Sequence, residues 1–400
     1  MRTRLQEGPE RTDLRGGAVP VGAFFTADGL AVGVFGGSLP GLRAALDLGA
    51  GQIATLLVTA GLVAVVSMNL GGRVADRSGA LTPTVLGAVV MGVGVLVVAA
   101  APSYAVALVG AGLFGLGNGA MDVCMNALGV GVEKRRHRPV MSRLHAFFSV
   151  GGFVGALLVV AAGPVLGTDR AYAGALCAGV LLLLVVVATA TPRAPRIRPE
   201  PEPQRGGARR IPPLAWLLAA MAIGFGLTEG TAIDWSSLHV TDVGGVSPST
   251  GAWGLACVSG FMVVIRLVGD LVVERLGRAT VVRAGAGVAL VGFVLTAFTS
   301  ALPAILGGWC LVGLGVGLIA PQIYGMAGHL GGGRGLALVV SFGYTAFLVG
   351  PALIGFVVRH SDLQRAMLVP TVSAVALIVL SVRLPADDPA RTPSTRTVPS

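Results

Sequence analysis

The chain has 400 residues, of which 54% are hydrophobic and 12% charged, with a formal net charge of +10. That is too apolar for a soluble chain of this length and reads as a polytopic membrane protein. The positive charge does not call for a nucleic-acid partner, because the basic residues sit in short segments between apolar runs, where they report topology.

Residues 1–18 interleave Arg2, Arg4, Arg11 and Arg15 with Glu7, Glu10 and Asp13, and no small-residue cleavage site follows a short apolar core. A cytoplasmic tail is expected there, not a cleaved signal. Twelve runs of spanning length follow: 19–40, 50–70, 82–101, 104–130, 144–165, 172–190, 214–238, 250–270, 280–299, 303–328, 335–358 and 366–383. The Pro-rich, charged segment 191–213 divides them six and six. The expected organisation is a tail (1–18), a six-helix bundle (19–190), a cytoplasmic linker (191–213), a second six-helix bundle (214–384) and a cytoplasmic C-terminal tail (385–400).

Twenty-four of the 29 basic residues fall in segments that would lie on one side; Arg43, Arg170, Arg359 and Arg365 fall on the other, and Arg266 lies inside the eighth run. This asymmetry places both termini in the cytoplasm of a cell-membrane protein. Cys124, Cys177, Cys257 and Cys310 all lie in apolar runs without a CxxC pair. Neither a disulfide framework nor a metal or other cofactor is expected.

An internal repeat joins the halves. A shift of 198 residues lays Gly71, Asp76, Arg77 and Gly79 over Gly269, Glu274, Arg275 and Gly277, and lays Gly110, Gly115, Leu116, Gly117 and Gly119 over Gly308, Gly313, Leu314, Gly315 and Gly317. Parallel repeats of this kind build two-bundle transporters with a cavity at the interface.

The segment GGRVADRSG, Gly71 to Gly79, resembles the cytoplasmic motif of the major facilitator superfamily, although Ala80 and Leu81 replace its final basic residues. GNGAMDVCMN (from Gly117), VEKRRHR (from Val132), SRLHAFFSVGGFVGA (from Ser142), EGTAIDWS (from Glu229) and RLVGD (from Arg266) resemble a bacterial subgroup of that superfamily, the MosC-like or YbjJ-like transporters related to fucose permeases. The resemblance implies an all-α major facilitator fold of twelve transmembrane helices in two six-helix bundles. It also implies that Gly72, Asp76, Arg77 and Gly79, with Glu274 and Arg275 as a second copy, form a cytoplasmic gating loop; the plainer reading is a solvated charge pair.

Asn118, Asp122 and Asn126 share one face of the fourth run. An acid in mid-membrane costs roughly 2.5 to 3.5 kcal/mol and is a functional hypothesis by default. His145 begins the next run on the same side, so an Asp122–His145 contact is expected, either as a protonatable cluster near the inner gate or as a static tie. The fragments FFTADG and FGLTEG pair Asp28 with Glu229, at an offset of 201. In the fucose-permease relatives acids of the first and fourth helices handle protons and sugar, which by resemblance points to Asp28 and Asp122; a backbone or hydroxyl partner is the plainer fate for Asp28. The solute is expected between Asp28 and Glu229.

Trp235, beside Asp234, reads equally as an interfacial anchor or as a stacking platform. Arg266 and Asp270 are spaced to pair with each other. Gln322, Tyr324 and Tyr344 are candidate cavity groups by position, and the Gly115/Gly119 and Gly151/Gly155 spacings favour close helix packing.

The function expected is secondary transport of a small polar organic solute by alternating access, as a proton symporter, with a sugar-like solute suggested by the resemblance. The partners are the solute, protons and the bilayer, and the protein is expected to act as a monomer without nucleic acid. A proton-coupled efflux antiporter for hydrophobic compounds is the rival, weakened because Gly163 and Pro164 fall at the outer end of the fifth run. A non-transporting sensor with the same fold is the alternative from another class. An enzyme is not expected, since no nucleophile and base or metal-ligand set is evident.

Overall fold

The computed structural model describes residues 18–136, 140–166, 211–331 and 333–385. Among them the chain forms fourteen helices and no strand: α1 Ala18–Leu46, α2 Ala50–Ser78, α3 Leu81–Ala99, α4 Tyr104–Arg136, α5 Met141–Leu166, α6 Pro213–Gly244, α7 Pro248–Gly251, α8 Trp253–Leu276, α9 Arg278–Phe298, α10 Leu302–Val316, α11 Ile319–Gly331, α12 Gly333–His360, α13 Leu363–Ala366 and α14 Leu368–Ser381. Eleven stretches of the described residues are long and apolar enough to cross a membrane. They match eleven of the twelve expected spans. The sixth, 172–190, lies outside the described residues, as do 1–17, 386–400 and the linker up to residue 210.

Three expected spans are interrupted, giving α7/α8, α10/α11 and α13/α14. For α10/α11 the cause is legible. Pro321 has no amide hydrogen, so it cannot bond the carbonyl four residues back, that of Gly317, and the helix breaks at Gly317 and Leu318. The equivalent position in the first half is Val123, and α4 runs without a break from Tyr104 to Arg136.

The 198-residue repeat is reproduced contact by contact. Helix α4 packs on α2 and α3, and α10 packs on α8 and α9; α1 lies on α5 as α6 lies on α12. A Cβ at Gly115 would overlap the carbonyl of Ala60, and one at Gly313 that of Val258, 198 residues on. Gly117 meets Met91 and Gly87 as Gly315 meets Ala289 and Gly285, again in one register. Small residues here set the distance between helices, as expected where apolar burial against lipid supplies little drive for association. The halves meet along α5 with α8 and α2 with α12.

The supposed gating loop is not a loop. Helix α2 continues to Ser78, so Gly72, Asp76 and Arg77 are helical, and in the second half Glu274 and Arg275 occupy the last turn of α8. Only Gly79 and Gly277 turn the chain, with φ of 89° and 76°, a region that favours glycine. Their amides close the helices on the carbonyls of Ala75 (2.9 Å) and Val273 (2.8 Å). A Cβ at Gly72 would meet nothing within 4 Å, so no close helix contact depends on a glycine there.

Candidate functional site

A cavity of about 720 Å³ lies between the halves. Its lining reaches Glu133, Met141, Asp270 and Arg278, at the end of the bundle where α4 meets α5 and α8 meets α9, but toward the opposite end it stops at Gly36, Asp234 and Pro351. That opposite end is closed. The short helix α7 packs against α1 and α5, and Arg43 at the end of α1 forms a bidentate ion pair with Asp242 at the end of α6, one bond of which is 2.6 Å.

Asp28, Asn118, Asp122, His145, Glu229, Gln322 and Tyr324 all line this one cavity. Asn126 is absent from the lining; it stands behind Asp122, donating from Nδ2 to the Asp122 carboxylate (Oδ1, 2.9 Å) and to its carbonyl (2.9 Å). The other carboxylate oxygen, Oδ2, accepts from the Tyr344 hydroxyl at 2.9 Å. Tyr344 is on α12, so this bond crosses between the halves. The expected Asp122–His145 contact does not appear as a hydrogen bond or ion pair among the described residues; Asn126 and Tyr344 hold the carboxylate instead. The His145 ring packs edge-on against Phe25, with centroids 5.3 Å apart.

Arg266 is the hub that the spacing argument misassigned. Its Nη2 pairs with Glu229 Oε1 at 3.3 Å, both side chains being 8% exposed, and no Arg266–Asp270 pair forms among the described residues. Nη1 donates across the halves to Ser149 Oγ (2.5 Å) and to the His145 carbonyl (3.4 Å). Nε donates to the Gly317 carbonyl at 3.1 Å. This is the carbonyl that Pro321 leaves without its helical donor, so the α10/α11 break and the orientation of Arg266 are one feature. The signal in the sequence was Pro321 inside an apolar run.

Asp28 is 2% exposed, and its Oδ1 is buried with no hydrogen-bond partner among the described residues. The plainer alternative, a backbone or hydroxyl partner, is not found for that oxygen. Shifting Arg266 back by 198 residues lands on Met68, which also lines the cavity, so the first half places a thioether where the second has a guanidinium. Trp235 is 2% exposed and sits in the protein core, so it is not an interfacial anchor. Tyr324 packs edge-on against Phe225, with centroids 6.1 Å apart. Gly115 and Gly119 lie against α2, and Gly151 and Gly155 against α1, as their spacing led one to expect.

Comparison with known proteins gives consistent findings. The family model for the Major Facilitator Superfamily matches residues 22–331 and 236–400. An uncharacterized transporter, y4wD, of Sinorhizobium fredii (strain NBRC 101917 / NGR234) is 30% identical over 374 residues, covering 90% of this chain and 96% of that protein. An uncharacterized MFS-type transporter of Yersinia pestis is 31% identical over 376 residues (90% and 92%), and the membrane protein MosC of Rhizobium meliloti 27% over 365 (89% and 86%). Among solved structures, a mutant of the nucleoside transporter NupG superposes with a TM-score of 0.72 at 11% identity, covering 91% of this chain and 98% of that one.

Proposed function

The chain belongs to the major facilitator superfamily and is a multi-pass membrane transporter, and from that premise we propose that it is a proton-coupled symporter of a small polar organic solute. One observation carries the reading: two cavity carboxylates hold bonds that cross between the halves. Asp122 does so directly, through Tyr344. Glu229 does so through Arg266, whose Nη1 grips Ser149 and the His145 carbonyl.

An acid within a membrane protein is far less costly neutral than charged. A proton on Asp122 or Glu229 removes the negative charge that holds Tyr344 or Arg266, so loading the carrier loosens the bridges that fix one half against the other. The halves then rock, and the cavity exchanges sides. With the arginine-rich segments in the cytoplasm, the cavity faces inward in this conformer and both termini are cytoplasmic. Opening to the outside requires the Arg43–Asp242 pair to part.

The test is flux in proteoliposomes under an imposed pH gradient, across a panel of sugars, polyols, nucleosides and amines. Wild-type protein accumulates at least one solute when the gradient is present. Asp122→Asn and Glu229→Gln keep solute exchange at equal pH but lose gradient-driven accumulation by about tenfold or more, the equivalent of about 1.4 kcal/mol of coupling. No gradient-dependent flux of any solute would sink the reading. Flux that stays coupled in both variants would preserve transport and remove these two residues from it.

A further inference from the structure

We propose that the solute carries a positively charged nitrogen, and that this group binds to Asp28. The inference rests on the transporter reading above and adds the charge class of the solute and its anchor.

The cavity is lined by six carboxylates, Asp28, Asp122, Glu133, Glu229, Asp234 and Asp270, against two arginines, Arg266 and Arg278. Negative charge dominates its walls, which disfavours an anion. Arg266 is not free to receive one either, because Nε, Nη1 and Nη2 are already engaged with Gly317, Ser149, His145 and Glu229. Protons on Asp122 and Glu229 still leave the remaining acids.

Among the described cavity acids Asp234 also has no ion pair, but only Asp28 has a fully buried carboxylate oxygen without a donor. Asp122 has Tyr344 and Asn126, and Glu229 has Arg266. Asp28 has no ion pair among the described residues, and its buried Oδ1 has no donor. Buried polar atoms are nearly always satisfied, and an orphaned one calls for a partner that comes from elsewhere. A proton alone neutralises the carboxylate but brings only one donor, bound to one oxygen. An ammonium group brings both the charge and several N–H donors, and a quaternary nitrogen brings the charge with polarised C–H groups. Aromatic rings also line this cavity, with Phe35 and Phe114 stacked on each other at 4.2 Å and Phe148, Phe225 and Phe347 also in the lining. The faces of such rings attract cationic nitrogen and are indifferent to its exact shape.

The experiment measures equilibrium binding to the purified full-length protein, with probes matched in shape and differing in charge: choline against 3,3-dimethyl-1-butanol, putrescine against 1,4-butanediol, and glucosamine against glucose and glucuronate. At least one cation binds about tenfold or more tightly than its neutral partner. Asp28→Asn abolishes that preference, and Asp28→Glu retains it. The proposal is overturned if no cation binds, if a neutral or anionic partner binds as well as its cation, or if Asp28→Asn keeps the preference. The wild-type comparison needs no variant, so a poorly folding mutant cannot rescue the idea. Charge-selective binding without gradient-driven flux would uphold this inference and overturn the coupling; coupled flux of a neutral solute without charge preference would do the reverse.

Discussion

Asp28 on α1 and Glu229 on α6 occupy corresponding helices of the two halves, and both are buried acids lining the same cavity. Their surroundings differ. Helix α8 gives Glu229 an arginine, whereas the position 198 residues earlier, on α2, holds Met68, which lines the same cavity. The second half further breaks its tenth span with Pro321, whose freed Gly317 carbonyl orients that arginine; the first half has Val123 and an unbroken α4. A duplicated scaffold has thus been differentiated at a few positions into a half with a satisfied ion pair and a half with an unsatisfied acid. Symmetry supplies the cavity, and departures from symmetry supply its chemistry.

Making α8 resemble α2 is the harshest way to break the comparison. Arg266→Met leaves Glu229 buried and unpaired and strips donors from Gly317 and Ser149, so a loss of roughly 3–5 kcal/mol is expected in unfolding of the detergent-solubilised protein. Adding Glu229→Gln should recover part of it, since the stranded charge is then gone. A single variant as stable as the parent would show that Arg266 is no hub.

The reciprocal change, Met68→Arg, adds a guanidinium to the cavity that Asp28 also lines. Affinity for the cation that the wild-type protein prefers should fall about tenfold, while stability moves by only about 1 kcal/mol, because new attraction and a new desolvation penalty oppose each other. Unchanged affinity for that cation would break the equivalence drawn between α2 and α8. The smallest effect is expected at the closed end. The Arg43 and Asp242 side chains are 27% and 30% exposed, so Arg43→Ala should cost only about 0.2–1 kcal/mol of stability. Yet spin labels at Ala44 and Ser247 should report a larger share of wide separations, and an unchanged distance distribution would remove the pair from the gate.

Much of this architecture could be read from the chain. Spans are legible because a helix in lipid must be apolar for about 20 residues, and the repeat was visible in its glycines because helix contacts without side chains tolerate few substitutes. Asp28, Asn118, Asp122, His145, Glu229, Gln322 and Tyr324 were expected at a polar interior, and all of them line the cavity. The pairings were another matter. Spacing along one helix suggested Arg266 with Asp270, and a position on the same side of the membrane suggested Asp122 with His145. Both failed, because a long side chain in a cavity bonds across helices, where sequence separation carries no information. Glu229 lies 37 positions from Arg266, and Tyr344 lies 222 from Asp122.

By itself, then, the sequence determined a membrane protein, its described spans, its duplication and the polar residues that could not face lipid, since each follows from the cost of exposing polar groups to hydrocarbon along one local segment. Only the tertiary structure decided which acid is bridged, which is paired and which is left waiting for a donor. Those outcomes depend on what other helices present around each acid: Arg266 of α8 reaches Glu229, and no side chain of the described residues donates to the buried Oδ1 of Asp28.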